Sequence, residues 1–163
     1  MNQDDIQLLC VTLSDEQYGL NITKVQEIRA LGKHRRLPNM PKHCVGVIDF
    51  RNTMVPVIDL REMFAYAHSD ISSQTVIVVM SIENKQETLL IGVVVDSVSD
   101  VISVEPTQVK HSPTLGTKVD TSFIQGMFKY NDHIIIILTL ESILEEQELS
   151  ELNDMVITDS TSA

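Results

Sequence analysis

Short blocks of apolar residues, broken by turn-forming residues at strand-like intervals, run along most of this chain. Residues 6–13 predict a strand, Ser14-Asp15-Glu16-Gln17 a polar turn, and Tyr18 to Leu20 the core of a second strand. Asn21 can cap a short helical turn through Ile22-Thr23-Lys24-Val25, after which residues 26–30 return to extended structure. β-branched residues and Gly32 keep that turn from growing. Leu37-Pro38-Asn39-Met40-Pro41 reads as a rigid extended connector, because each proline fixes its own φ and biases its predecessor towards β. A hairpin over residues 45–59 turns at Arg51-Asn52 and leads into a short helix over 60–64. Pro56 removes a ladder donor from its second strand, which predicts an edge or a bulge there. Residues 75–82 and 88–95 form a further hairpin whose near-continuous Val, Ile and Leu content predicts strands covered on both faces. Residues 101–104 add a strand, and residues 106–122 are the longest irregular stretch, expected to be mobile. Leu140, Ile143, Leu144, Leu149 and Leu152 give one apolar face to a helix over 140–152 whose other face is rich in glutamate. Residues 153–163 form a small polar tail, expected to be disordered.

The pattern occurs twice. Residues 126–144 align without a gap on residues 46–64, so that Gly126 falls on Gly46, Tyr130 on Phe50, Asn131-Asp132 on Arg51-Asn52, and Leu140 on Leu60. Both turns carry Asn or Asp between apolar, β-branched flanks, as a tight hairpin requires. Residues 91–101 likewise align on residues 18–28, matching Gly92 to Gly19 and Val95, Val98 and Val101 to Ile22, Val25 and Ile28. Two gapless segments in the same order predict a fold of two similar halves.

Composition narrows the chemistry. At 163 residues the chain can bury a sizeable core in one compact unit. A formal net charge of −11 with few aromatics argues against a nucleic-acid-binding small barrel, which needs a basic, aromatic strand face. Cys10 and Cys44 lie in apolar strands without metal-type spacing, so buried thiols are expected. No apolar run approaches the ~18 residues of a membrane span, and the acidic Met1-Asn2-Gln3-Asp4-Asp5 start is unlike a secretory signal, so a cytoplasmic protein without membrane insertion is expected. Walker A, GxGxxG, HExxH and GxSxG strings are absent, and the five histidines lack ligand spacing; no catalytic residue, cofactor site or metal site is assigned. Asp96 and Asp100 could face each other, but acid–base work would also need a pocket. The basic cluster Lys33-His34-Arg35-Arg36 reads as a solvated loop or as a site for an acidic partner. What remains is a β scaffold with edges and apolar surface suited to protein partners.

The strings Tyr18-Gly19-Leu20-Asn21-Ile22-Thr23-Lys24-Val25-Gln26-Glu27-Ile28-Arg29, Val55-Pro56-Val57-Ile58-Asp59-Leu60-Arg61 and Ile91-Gly92-Val93-Val94-Val95-Asp96-Ser97-Val98-Ser99-Asp100-Val101 resemble the signature segments of the CheW chemotaxis coupling family, in register from about residue 7 to 152. The resemblance implies a mainly β fold of two five-stranded SH3-like β-barrels related by pseudo-symmetry, with short helices and a C-terminal helix. It also implies one CheW-like domain over 1–152, with intertwined sub-barrels near 7–70 and 75–140. By the same resemblance the chain is a non-enzymatic adaptor joining the cytoplasmic tip of a chemoreceptor to the regulatory domain of the histidine kinase CheA, recruited to membrane-associated receptor arrays. A scaffold of this fold for another signalling complex is the alternative. The family's coupling positions fall on Val25, Glu27, Gly46, Arg51, Val76 and Val101. Val25, Ile28, Val98 and Val101 occupy equivalent places in the two halves and either line a groove for an apolar helix face or fill the core. This chain has Asp49-Phe50-Arg51-Asn52 where the family usually has Asn-Leu-Arg-Gly, which alters charge and bulk at the hairpin tip.

Overall fold

The computed structural model describes residues 4–31, 44–64, 72–84, 87–111 and 121–141. Ten strands follow in these segments: β1 (Ile6–Leu13), β2 (Glu16–Asn21), β3 (Val25–Ala30), β4 (Cys44–Phe50), β5 (Thr53–Asp59), β6 (Val76–Asn84), β7 (Glu87–Val95), β8 (Ser97–Val104), β9 (Ile124–Tyr130) and β10 (His133–Leu138). The helix α1 (Leu60–Met63) follows β5, and single 3-10 turns occupy Ile22–Lys24, Pro106–Gln108 and Thr121–Phe123. The basic cluster at 33–36, the proline connector at 37–41, most of the expected helix at 140–152 and the tail at 153–163 lie outside the described residues.

Local chemistry accounts for the turns. Asn21 caps the first 3-10 turn, its Oδ1 accepting from the Thr23 amide at 3.0 Å. Asp59 caps α1 in the same way, accepting from the Arg61 amide at 2.9 Å. The tips of the β4–β5 and β9–β10 hairpins have positive φ at both central residues, Arg51 and Asn52 in one, Asn131 and Asp132 in the other. Two consecutive positive φ values are the signature of the turn whose twist matches that of paired strands. The stretch expected to be irregular is partly ordered: Lys110 forms a two-hydrogen-bond bridge with Met127, both bonds 2.8 Å, and the 3-10 turn at Pro106–Gln108 precedes it.

Two five-stranded sheets result, in the orders β8-β1-β2-β10-β9 (barrel I) and β3-β6-β7-β5-β4 (barrel II). Placing β1–β5 on β6–β10 turns one order into the other, so the duplication is a pseudo-symmetry of the whole fold. Register obeys it: Ile137 pairs with both Gly19 and Gly126, and its equivalent Val57 pairs with both Gly92 and Gly46. The sheets do not follow a division of the chain near 7–70 and 75–140, since each takes strands from both halves. Connector length is the reason. Asp96 alone separates β7 from β8, too little for a hairpin, so the chain passes straight from one sheet into the other. Three 3-10 residues do the same between β2 and β3.

Three apolar layers follow from the exchange. Leu8, Ile102, Phe128, Ile135 and Ile137 fill barrel I, and Ile48, Phe50, Val57, Ile77, Val79 and Val94 fill barrel II. Between the sheets lies a larger shared core, with Leu9, Val11, Tyr18 and Ile136 from one side and Val47, Ile58, Val78, Met80 and Val93 from the other. β6 and β7 therefore bury both faces, as their unbroken apolar sequence predicts. Of the edge or bulge expected at Pro56, the edge is not found, since β5 lies between β7 and β4, but the β4–β5 pairing does shift register close by, opposite Val57 and Ile58. The parallel ladder of β5 to β7 runs only from Val57 to Asp59, whereas the equivalent ladder of β10 begins at Ile135, two residues earlier in the repeat. Pro56, without an amide hydrogen, sits where that ladder has stopped.

Candidate functional site

The predicted site residues separate onto two surfaces, and strand pairing decides which. Directly opposed residues of an antiparallel pair project from the same face. On β3, Val25 pairs with Met80 and Ile28 with Val78, both of the shared core. On β8, Val98 pairs with Val11 and Val101 with Leu9, also of the shared core. The four apolar residues thus lie on equivalent faces of two edge strands flanking one layer. Val25 and Val98 are half-buried against that layer, as is Val76 at the start of β6. Ile28 and Val101 stand open, 41% and 49% exposed. For Val25 and Val98 the alternatives of core and surface merge; Ile28 and Val101 belong to the surface.

Glu27 falls on the other face. A bulge between Val25 and Glu27 resets the alternation, and Glu27 and Arg29 pair with Val79 and Ile77, whose side chains fill barrel II. Glu27 and Arg29 form an ion pair at the barrel seam, with Arg29 Nε donating to Glu27 Oε2 at 2.6 Å. Arg29 Nη1 donates across the seam to the carbonyl oxygen of Asp49 at 3.0 Å. Two residues on, Arg51 tops the β4–β5 hairpin, exposed, its guanidinium 4.8 Å from the centre of the Phe50 ring. Gly46 lies in β4 beside a register shift, buried, with φ 155°. Glu27, Gly46 and Arg51 are therefore features of barrel II and its hairpin.

Sequence reasoning missed a buried charge node. Arg61, 5% exposed, donates through Nε and Nη2 to the two carboxylate oxygens of Asp59 at 3.0 and 2.9 Å, and through Nη1 to Asp96 at 3.3 Å. Asp96 also accepts from the Ser14 amide at 2.7 Å and donates its own amide to the Thr12 carbonyl at 3.0 Å. The node ties the β1–β2 turn of barrel I to the end of β5 in barrel II. Hydrogen bonding to Asp59 raises the Arg61 pKa against the opposing effect of burial, so the guanidinium stays charged. Asp96 is committed to this structural role rather than to chemistry with Asp100. The available signal was two opposite charges inside the otherwise apolar Val55-Pro56-Val57-Ile58-Asp59-Leu60-Arg61 string.

The end of barrel I was also unforeseen. The exposed Ile134 lines a cavity of about 460 Å³ together with Met127, Phe128, Lys110 and Lys129, and Tyr130, also exposed, stands edge-on to the Phe128 ring. Among the described residues, no group of three or more His, Cys, Asp or Glu is placed to hold a metal ion, and no helix is long and apolar enough to cross a membrane.

Apolar edge strands flanking a shared core, with a charged hairpin at one barrel end, define a small β adaptor that works through protein contacts. The CheW-like domain model matches residues 7–148, and the chain belongs to that family. The chemotaxis protein CheW of Klebsiella aerogenes is 32% identical over 149 residues, covering 91% of this chain and 87% of that protein. The probable chemotaxis protein CheW of Rhizobium etli is 28% identical over 148 residues, covering 91% and 93%. Among solved structures, the scaffolding protein TtCheW from Thermoanaerobacter tengcongensis superposes with a TM-score of 0.80 at 28% identity, covering 90% of this chain and 92% of that one. The protein is accordingly a scaffold of chemotaxis signalling and not an enzyme.

Proposed function

We propose that this adaptor couples a chemoreceptor to the regulatory domain of the histidine kinase CheA, using its two surfaces for different partners. The edge strands β3 and β8 take the receptor tip. Val25, Ile28, Val76, Val98 and Val101 line the groove, and an apolar helix face is the occupant it suits. The carrying observation is that Ile28 and Val101, equivalent in the repeat, are both exposed on strand faces bordering the shared core. The kinase domain meets the barrel ends. Glu27, Gly46 and Arg51 belong to the end of barrel II, and the exposed Tyr130 and Ile134 beside Lys129 offer a second contact on barrel I. Through both contacts the protein is held at membrane-associated receptor arrays from the cytoplasmic side.

Co-sedimentation of the full chain with receptor signalling fragments and CheA tests this, with kinase activation as the readout. A ternary complex with stimulated phosphorylation is expected. Failure to form one, with each partner competent towards another coupling protein, would assign the chain to a different signalling complex.

A further inference from the structure

The two barrels close their seams with different chemistry. In the repeat, Arg29 is equivalent to Ile102, and Ile102 is buried in the apolar interior of barrel I. A barrel of this shape thus closes with an aliphatic side chain at that position. Barrel II instead carries a guanidinium there, bound to Glu27 on its own strand and to the Asp49 carbonyl on β4. β3 and β4 are the two ends of the barrel II sheet and share no backbone ladder. Arg29 therefore ties the free edge of β3 to the strand that leads into the Arg51 turn.

We propose that Arg29 is a positioning residue for the Arg51 hairpin, and that Glu27 acts on coupling through Arg29 rather than by touching a partner. Glu27 holds two donor atoms of the guanidinium, fixing its plane, and the remaining arm grips Asp49. The fork cannot be replaced by an ammonium, which is a point donor on a flexible stem. The inference rests on the reading that the barrel II hairpin meets the kinase domain, but its first test does not.

That test is amide hydrogen exchange on the free protein. In Arg29→Met and in Arg29→Lys, the amides of Phe50 and Thr53, which close the turn, should exchange several-fold faster. Tyr130 and His133, closing the equivalent turn of barrel I, should not change and serve as the internal control. Unchanged exchange at Phe50 and Thr53 in both variants overturns the proposal. The second test is a double-mutant cycle on binding of the CheA regulatory domain. Glu27→Gln and Arg29→Met should each weaken binding roughly tenfold, and the double variant no more than either. Additive losses would mean that Glu27 contacts the partner directly and would refute the mechanism. If the wild-type chain does not bind the kinase domain at all, the coupling reading fails while the exchange result still decides the role of Arg29.

Discussion

Gly46 and Gly126 occupy the same place in the repeat for different reasons. Gly46 has φ 155°, outside the range where a side chain is comfortable, whereas a Cβ on Gly126 would come within 2.5 Å of Val109 Cγ1 and 3.1 Å of the Lys110 carbonyl. Gly46→Asp adds backbone strain to an unpartnered carboxylate in a buried strand, and a loss of about 3 kcal/mol is expected in urea unfolding. Arg51 is the opposite case. It is exposed and, among the described residues, packs on the Phe50 ring, so Arg51→Glu should cost below ~1 kcal/mol of stability while abolishing kinase coupling. Calorimetry alongside the coupling assay separates the two effects. The thiols titrate abnormally: burial raises the pKa of both Cys10 and Cys44, with the Asp100 charge adding to the effect at Cys10. A folded state that holds these protons more tightly is favoured fully below the ordinary value of 9.0 and loses that advantage as pH rises through the raised values. Stability should fall above pH 9.0, and the Cys10→Ala, Cys44→Ala double variant should show a shallower fall.

At the scale of elements, β3 and β8 are the informative pair. Each is a sheet edge with a half-buried valine against the shared core and a more exposed aliphatic residue further along. Ile28→Asp and Val101→Asp should each weaken binding of a receptor-tip fragment tenfold or more, with the kinase domain still bound, because a carboxylate in an apolar contact is costly while Ile28 and Val101 are open to solvent in the free protein. Isothermal titration with each partner measures this, and equal loss of both would mean that the two surfaces are not separate. The bulge at the start of β3 is what makes the separation. By taking Glu27 off the face of Val25 and bringing Ile28 onto it, it gives one short strand a face on the shared-core side and a seam face. Strand alternation in the sequence places Val25 with Glu27 instead, and only the pairing to β6 reveals the reset.

The whole molecule is held by the shared core and by the Asp59, Arg61 and Asp96 node that joins the barrels. Replacing Arg61 with methionine leaves the Asp59 carboxylate, 4% exposed, without its cation. Arg61→Met should therefore destabilise by about 3–5 kcal/mol in urea unfolding. Asp96→Asn should cost less, since Asp96 is more accessible and asparagine still accepts from Ser14. Strand exchange also predicts one cooperative transition rather than two, because neither barrel can be completed by half of the chain.

Local chemistry written along the chain determined the strands, the two hairpin turns at Arg51-Asn52 and Asn131-Asp132, the cap at Asn21, the duplication and the family. Each depends on residues that are neighbours or that recur at a fixed offset, so no knowledge of distant contacts is needed. The tertiary structure alone decided which sheet each strand joins, that Pro56 lies on an interior strand, and that Arg61 has two carboxylates as partners. It alone paired Glu27 with Arg29, which reaches on to the Asp49 carbonyl, and took Glu27 off the face of Val25. These features arise from pairings between segments far apart in sequence, where a one-residue bulge or a one-residue connector redirects every side chain that follows.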